Sequence, residues 1–232
     1  LGEGSLEKLQ GLLAGKDVLA IGPGLGRSRQ VIKVVQTLLR TWDGPAVIDA
    51  DGLIALSTEF LRSVPASKRQ RWVITPHPGE MGRLNASDAA AVNGDRVGAA
   101  SSYAQQWGLV VVLKGAPTIT ADPERVYINS TGSHALATAG TGDILTGLTA
   151  ALLGQGLDPL RAGALAAFVH GRAGDLAGEK GQRGLKASDC LAFIQQMGLG
   201  AVLGILGGYA IVWLVNHLDL PPGLHPIAVL SL

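Results

Sequence analysis

The chain of 232 residues is 47% hydrophobic with 33 Gly and 11 Pro, which excludes disorder as the main state and bounds one medium domain or one domain with an appendage. Charged residues make up only 16% and the formal net charge is +1, so no basic field exists to draw in a nucleic acid. One cysteine, Cys190, excludes an internal disulfide framework and a Cys-rich metal knuckle, and suits a reducing, cytoplasmic compartment for the catalytic part.

The chain begins at Leu1, and residues 1–16 lack a basic stretch followed by a long apolar run, so no signal peptide is expected and a missing N-terminal piece is. Apolar, β-rich runs follow at Asp17 to Gly22, Ala46 to Asp49, Trp72 to Thr75, Leu109 to Lys114, Pro117 to Thr120 and Arg125 to Ile128. Helical patterns lie between them at Arg27 to Thr41, Ser87 to Trp107, Gly142 to Gly154 and Pro159 to Ala177, with a weaker signal at Leu53 to Leu61. Continuously apolar strands alternating with helices predict an α/β fold: a mainly parallel sheet covered by helices on both faces. In such sheets ligands bind beyond the carboxyl ends of the strands, which directs attention to the loops after each run.

The first of these loops is Gly22-Pro23-Gly24-Leu25-Gly26. A dinucleotide fingerprint would need its third glycine where Arg27 stands, so the loop is either an anion or ribose contact through backbone N–H groups or a tight strand-to-helix turn. The second is Asp49-Ala50-Asp51-Gly52, where two carboxylates cannot share a dry core without partners and Asp51 is expected to cap a helix. The third is Thr75-Pro76-His77-Pro78-Gly79-Glu80, in which two prolines stiffen the backbone around His77 and Glu80 enters the first turn of a following helix.

The strongest signal is Ala139-Gly140-Thr141-Gly142-Asp143 before an apolar helix. A glycine turn there gathers free N–H groups and the positive dipole end, a place for a transferring phosphoryl group. Asp143 in that first turn is either the base that takes a proton from an attacking hydroxyl or a charge that stabilises the helix end. Lys114-Gly115-Ala116-Pro117-Thr118 and Asn129-Ser130-Thr131-Gly132 precede it, with a lysine suited to nucleotide phosphate and small polar residues suited to ribose or adenine.

These segments together resemble the ADP- or ATP-dependent NAD(P)H-hydrate dehydratases of the ribokinase-like superfamily, over roughly Leu6 to Asp189. The resemblance is carried by "IGPGLGRS" at Ile21 to Ser28, "VIDADGL" at Val47 to Leu53, "TPHPGEM" at Thr75 to Met81, "LKGAPT" at Leu113 to Thr118 and "ATAGTGDILTG" at Ala137 to Gly147. It implies that ADP, or ATP, phosphorylates the ring hydroxyl of hydrated NADH or NADPH and that loss of phosphate restores the cofactor. It implies Asp143 as the catalytic carboxylate, with Gly24, Gly26, Asp49 and His77 beside the hydrated cofactor. On the nucleotide side it implies Lys114, Gly115, Ala116, Pro117, Thr118, Asn129, Gly140, Thr141 and Gly142, with Glu80 holding water or Mg2+ near the phosphates. A homo-oligomer is also expected. The chain departs from the family at Ser133-His134-Ala135-Leu136, where members often read Asn-Pro-Gly-Met, and in the several dozen further N-terminal residues that members carry.

The division expected is a dehydratase domain over residues 1–189 and a hydrophobic segment over 190–232. All 19 Lys and Arg precede Cys190, and Phe193 to Asn216 is a run of 24 residues without charge, long enough at about 1.5 Å per residue to cross a core of roughly 30 Å. Gly200, Gly204 and Gly208 share one face of it at the spacing of packed membrane helices. This part resembles a membrane segment of cation/proton antiporters, so a transmembrane helix is expected, with Pro221 and Pro222 ending it and a second apolar run from Leu224 to Leu232. Two other functions compete with the dehydratase: a ribokinase-like kinase of a small metabolite, and an inactive nucleotide-binding module tethered to a membrane.

Overall fold

The fold comes from a computed structural model, which describes residues 3–179, 186–196 and 228–230. Helix α1 (Glu3–Leu13) leads into strand β1 (Val18–Ile21), followed by α2 (Arg29–Thr41) and β2 (Ala46–Ile48). A 3-10 segment (Ala50–Ala55), α3 (Thr58–Ser63) and α4 (Ala66–Arg69) lead to β3 (Trp72–Ile74), and α5 (Pro78–Leu84), α6 (Ala89–Gly94) and α7 (Arg96–Trp107) to β4 (Val110–Leu113). The antiparallel pair β5 (Ile119–Ala121) and β6 (Val126–Ile128) precedes a 3-10 turn (His134–Leu136), α8 (Thr141–Gly154), α9 (Pro159–Glu179), α10 (Ala187–Gln196) and β7 (Ala228–Leu230).

The sheet order is β6-β5-β4-β3-β2-β1-β7, with β1 to β4 parallel and the outer pairings antiparallel. Successive side chains on a strand point to opposite faces, and the sequence fills both with apolar residues. Leu19, Ile21, Ile48, Trp72, Ile74, Val111 and Leu113 enter one core with Val35 and Leu38 of α2 and Tyr103 and Trp107 of α7. Val18, Ala20, Val47, Val73, Val110 and Val112 enter the other with Leu145, Leu148 and Leu152 of α8 and the alanine face of α9. The expected α/β sheet with two covered faces is what forms.

Three expectations need correction. The pattern read as one helix over Ser87 to Trp107 divides at Asp95, whose Oδ1 accepts from Gly98 N at 2.8 Å and starts α7 afresh. The hydrophobic segment does not begin at residue 190: α10 packs Cys190 and Ile194 into the second core, with Phe193 against it. The run from Leu224 holds β7, which pairs with β1 in the register Val18↔Leu230. Among the described residues no helix is long and apolar enough to cross a membrane, and residues 197–227, which hold most of the expected membrane helix, lie outside them.

Candidate active site

The carboxyl ends of β1 to β4 bring the sequence motifs to one edge of the sheet. After β1 the chain passes so close to β2 that a Cβ on Gly22 would sit 1.7 Å from the Asp49 carbonyl oxygen, which restricts the position to glycine. Gly24 and Gly26 follow with φ of 71° and 78°, and Gly26 N donates to Asp51 Oδ2 at 3.0 Å. Arg27 Nε donates to Asp51 Oδ1 at 2.8 Å. Asp51 therefore fastens the glycine loop rather than capping the 3-10 segment, a correction to the sequence reading.

His77 is the N-cap of α5. Its Nδ1 accepts from Gly79 N and Glu80 N at 3.0 and 3.3 Å, while Glu80 Oε2 accepts from His77 N at 2.7 Å, a reciprocal capping box. Nδ1 is committed as an acceptor and Nε2 lies 3.4 Å from Glu80 Oε1, so both ring nitrogens face the start of α5 while the side chain stays 53% exposed. Glu80 is buried, and its Oε2 lies 3.9 Å from Lys114 Nζ. Its carboxylate is thus engaged by backbone and lysine. Among the described residues no three His, Cys, Asp or Glu side chains converge as a metal centre.

Asp49 is 1% exposed at the end of β2. Its Oδ1 receives Lys114 Nζ at 2.7 Å and its Oδ2 receives Thr146 Oγ1 of α8 at 2.9 Å. A Cβ on Gly142 would lie 3.6 Å from Lys114 Nζ and 3.9 Å from Asp49 Oδ2, so the ammonium stands beside the first turn of α8. That helix starts at Gly140 with φ of 87° and has no side-chain cap; Thr141 N donates to Thr138 O at 3.3 Å. Asp143 occupies the same turn. Partial burial and then the Asp49 charge raise its pKa above the ordinary carboxylate value, and Lys114 opposes them.

The loop after Lys114 is tied down from behind. Lys114 N donates to Pro76 O at 2.8 Å, joining the β4 and β3 loops. Arg96 Nη2 donates to the carbonyls of Leu113, Lys114 and Pro117 at 3.3, 3.0 and 3.0 Å, and its guanidinium occupies the space a Cβ on Gly115 would need. Thr118 Oγ1 donates to Gly115 O at 3.0 Å across the turn that contains Ala116 and Pro117. Asn129 spends its side-chain amide on the carbonyls of Thr131 and Ala167 at 2.9 and 3.2 Å, and Gly132 N donates to Asp175 Oδ2 at 3.0 Å, so this loop is bound to α9. Thr141 Oγ1 lies 2.7 Å from Leu136 O and 2.8 Å from Thr138 O, which makes it a brace of the glycine turn.

The structure thus gathers Asp49, Lys114, Gly142 and Asp143 tightly, with Glu80 next to Lys114. Gly26 and His77 lie in the neighbouring loops, and Asn129 stands further along, after β6 and tied to α9. Sequence reading missed Thr146, Arg96 and His170. Thr146 follows Asp143 by three residues and so shares its helical face, a signal that was present. Arg96 and the buried His170 carry no local mark of their roles, because their partners are distant in sequence.

A family model described as NAD(P)H-hydrate dehydratase matches residues 5–196. The bifunctional NAD(P)H-hydrate repair enzyme Nnr of Moorella thermoacetica is 48% identical over 196 residues, which are 84% of this chain and 37% of that protein. The ADP-dependent (S)-NAD(P)H-hydrate dehydratase of Neisseria meningitidis is 38% identical over 161 residues, 68% of this chain and 54% of that protein. The chain therefore spans about a third to a half of the length of these relatives. Among solved structures, the ADP/ATP-dependent NAD(P)H-hydrate dehydratase of Bacillus subtilis co-crystallised with ATP/Mg2+ matches at a TM-score of 0.67 with 30% identity, over 78% of this chain and 64% of that one. A ribokinase-like superfamily protein of Enterococcus faecalis matches at 0.70 with 23% identity, over 86% and 69%, a likeness of fold.

Proposed function

We propose, from the premise that the chain belongs to the NAD(P)H-hydrate dehydratase family, that its site dehydrates hydrated NADH or NADPH at the expense of ADP or ATP. The observation that carries the reading is one cation and one partly desolvated carboxylate flanking an uncapped helix start: Lys114, Asp143 and the first turn of α8. The amides of that turn and the lysine receive the phosphoryl group. Asp143 takes the hydroxyl proton as the ring oxygen attacks phosphorus and the bond to the nucleotide breaks. The carbon–oxygen bond then breaks, phosphate leaves with the shared electron pair, and a proton lost from the neighbouring ring carbon restores the double bond. The loops bearing Gly26 and His77 face the same edge, where the exposed imidazole face of His77 and the glycine backbone border the substrate. Beside them a cavity of about 360 Å³ is lined by Ala50, Leu53, Glu80 and Arg83.

Magnesium enters this reading only with the nucleotide, since it usually keeps several waters and is held through substrate phosphates. A homo-oligomer belongs to the same proposal, as does a membrane contact through the uncharged run read at 193–216, narrowed to residues 197–216 because α10 packs Ile194 into the second core. Edge strand β6 supports the first, since it exposes Val126 and Ile128 at 43% and 55%; sedimentation velocity on the full chain is expected to show a species larger than the monomer.

The test is incubation of hydrated NADH with ADP, following absorbance at 340 nm and released phosphate together. Restored absorbance with stoichiometric phosphate supports the dehydratase. A stable phosphorylated product would assign the site to a metabolite kinase, and nucleotide binding without turnover to an inactive module.

A further inference from the structure

Within that proposed reaction, we infer that Asp49 and Thr146 form a positioning pair that sets the Lys114 ammonium against the start of α8, and that Asp49 is not a substrate contact. Both oxygens of Asp49 are engaged within the fold and the side chain is buried. Oδ1 is taken by Lys114 at 2.7 Å and Oδ2 by Thr146 at 2.9 Å, and the side chain is 2% exposed. Thr146 is itself buried, at 4% exposure, and belongs to the helix whose first turn presents the amides. The three bonded residues therefore link the ends of β2 and β4 to α8, and the separation between the ammonium and Gly142 is set by side chains that ligands do not touch. A lysine held only by water would sample many rotamers at an entropic cost on every binding event.

The pair also acts on the reacting carboxylate. The charged groups around Asp143 are Asp49 from β2, Lys114 from β4 and, near the lysine, Glu80 from α5, with His170 of α9 behind the turn. Asp49 raises the proton affinity of Asp143 and Lys114 lowers it. Thr146 holds these two opposed influences in register. A hydroxyl is what the position requires: isosteric valine would leave one buried carboxylate oxygen without a donor.

Thr146→Val, Thr146→Ser and Asp49→Asn in the full chain test this, with kcat, KM for hydrate and nucleotide, and carbon-detected NMR titration of the Asp143 carboxyl. Thr146→Val is expected to lose roughly tenfold or more in kcat with the hydrate KM little changed, and Thr146→Ser to recover to within about threefold. Asp49→Asn is expected to move the Asp143 titration to lower pH. The inference is overturned if Thr146→Val keeps kcat within about twofold, if serine is as damaging as valine, or if Asp49→Asn raises the hydrate KM about tenfold while sparing kcat. Should valine fail to fold, the serine and asparagine variants decide it. Should the parent not turn over hydrate at all, the proposed function falls, and an unmoved Asp143 titration in Asp49→Asn still decides this inference separately.

Discussion

At the scale of single residues, Asp143 and His170 make opposite demands on protons. Asp143 must be ionised to accept one, and its raised pKa places the acid limb of the reaction above the ordinary carboxylate range. Asp143→Asn keeps size and hydrogen bonding but not basicity, so kcat is expected to fall by about 10² to 10⁴ with nucleotide affinity little changed. Retention of more than about a tenth of parental turnover would place Asp143 outside the mechanism. His170 must stay neutral: burial pushes it down to about 4, with the Lys114 charge helping and the Thr141 backbone opposing. Its Nε2 is buried without a partner. The unfolded chain protonates this residue near 6.5, its ordinary value, and the folded chain only near about 4. Stability is therefore complete above about pH 6.5 and is lost as pH falls toward 4, by up to about 3 kcal/mol. Urea unfolding at pH 7 and 4.5 should show the parent losing about 2 to 3 kcal/mol more than His170→Gln; equal losses would assign the acid response to other groups.

At the scale of elements, the strands were legible because each is an unbroken apolar run, and both faces of the sheet are covered. The glycine turn before α8 was legible for the same kind of reason, since chemistry and local pattern coincide there. Asp51 was misread because its partners, Gly26 and Arg27, lie 25 and 24 residues away and nothing local announces them. His77 was read as a rigid ligand contact, whereas half of its imidazole is used to start α5. Arg96 belongs to the same class of hidden residue. It begins α7, yet its guanidinium holds the backbone of the loop after β4, so the loop's shape depends on an element that pattern alone assigns to packing. Arg96→Leu removes those donors from carbonyls and is expected to cost about 1 to 3 kcal/mol in stability. Because Lys114 sits in that loop, the nucleotide KM should rise by more than the hydrate KM. Equal changes in both would mean that the loop does not serve the nucleotide side.

At the scale of the whole molecule, the family fold and the uncharged run meet inside α10. Packing of Cys190 and Ile194 in the second core assigns the start of that helix to the globular part. Any membrane-crossing segment must therefore begin after residue 196, and residues 197–216 provide a stretch without Asp, Glu, Lys or Arg. At about 1.5 Å per residue a helix there would span about 30 Å, the thickness of a hydrocarbon core, with little to spare for tilt. Lys180, Arg183 and Lys186 precede it and favour keeping the catalytic part on the cytoplasmic side. The physical alternative is that the run packs as a buried element against protein. A charge near its middle separates the two, because arginine at a bilayer centre costs about 2.5 to 3.5 kcal/mol on insertion scales. The full chain is expected to stay with membranes after a carbonate wash, and Leu206→Arg is expected to release a substantial fraction. If the parent is recovered entirely in the supernatant as a folded species, the run is packed against protein and the whole molecule has no membrane contact through it.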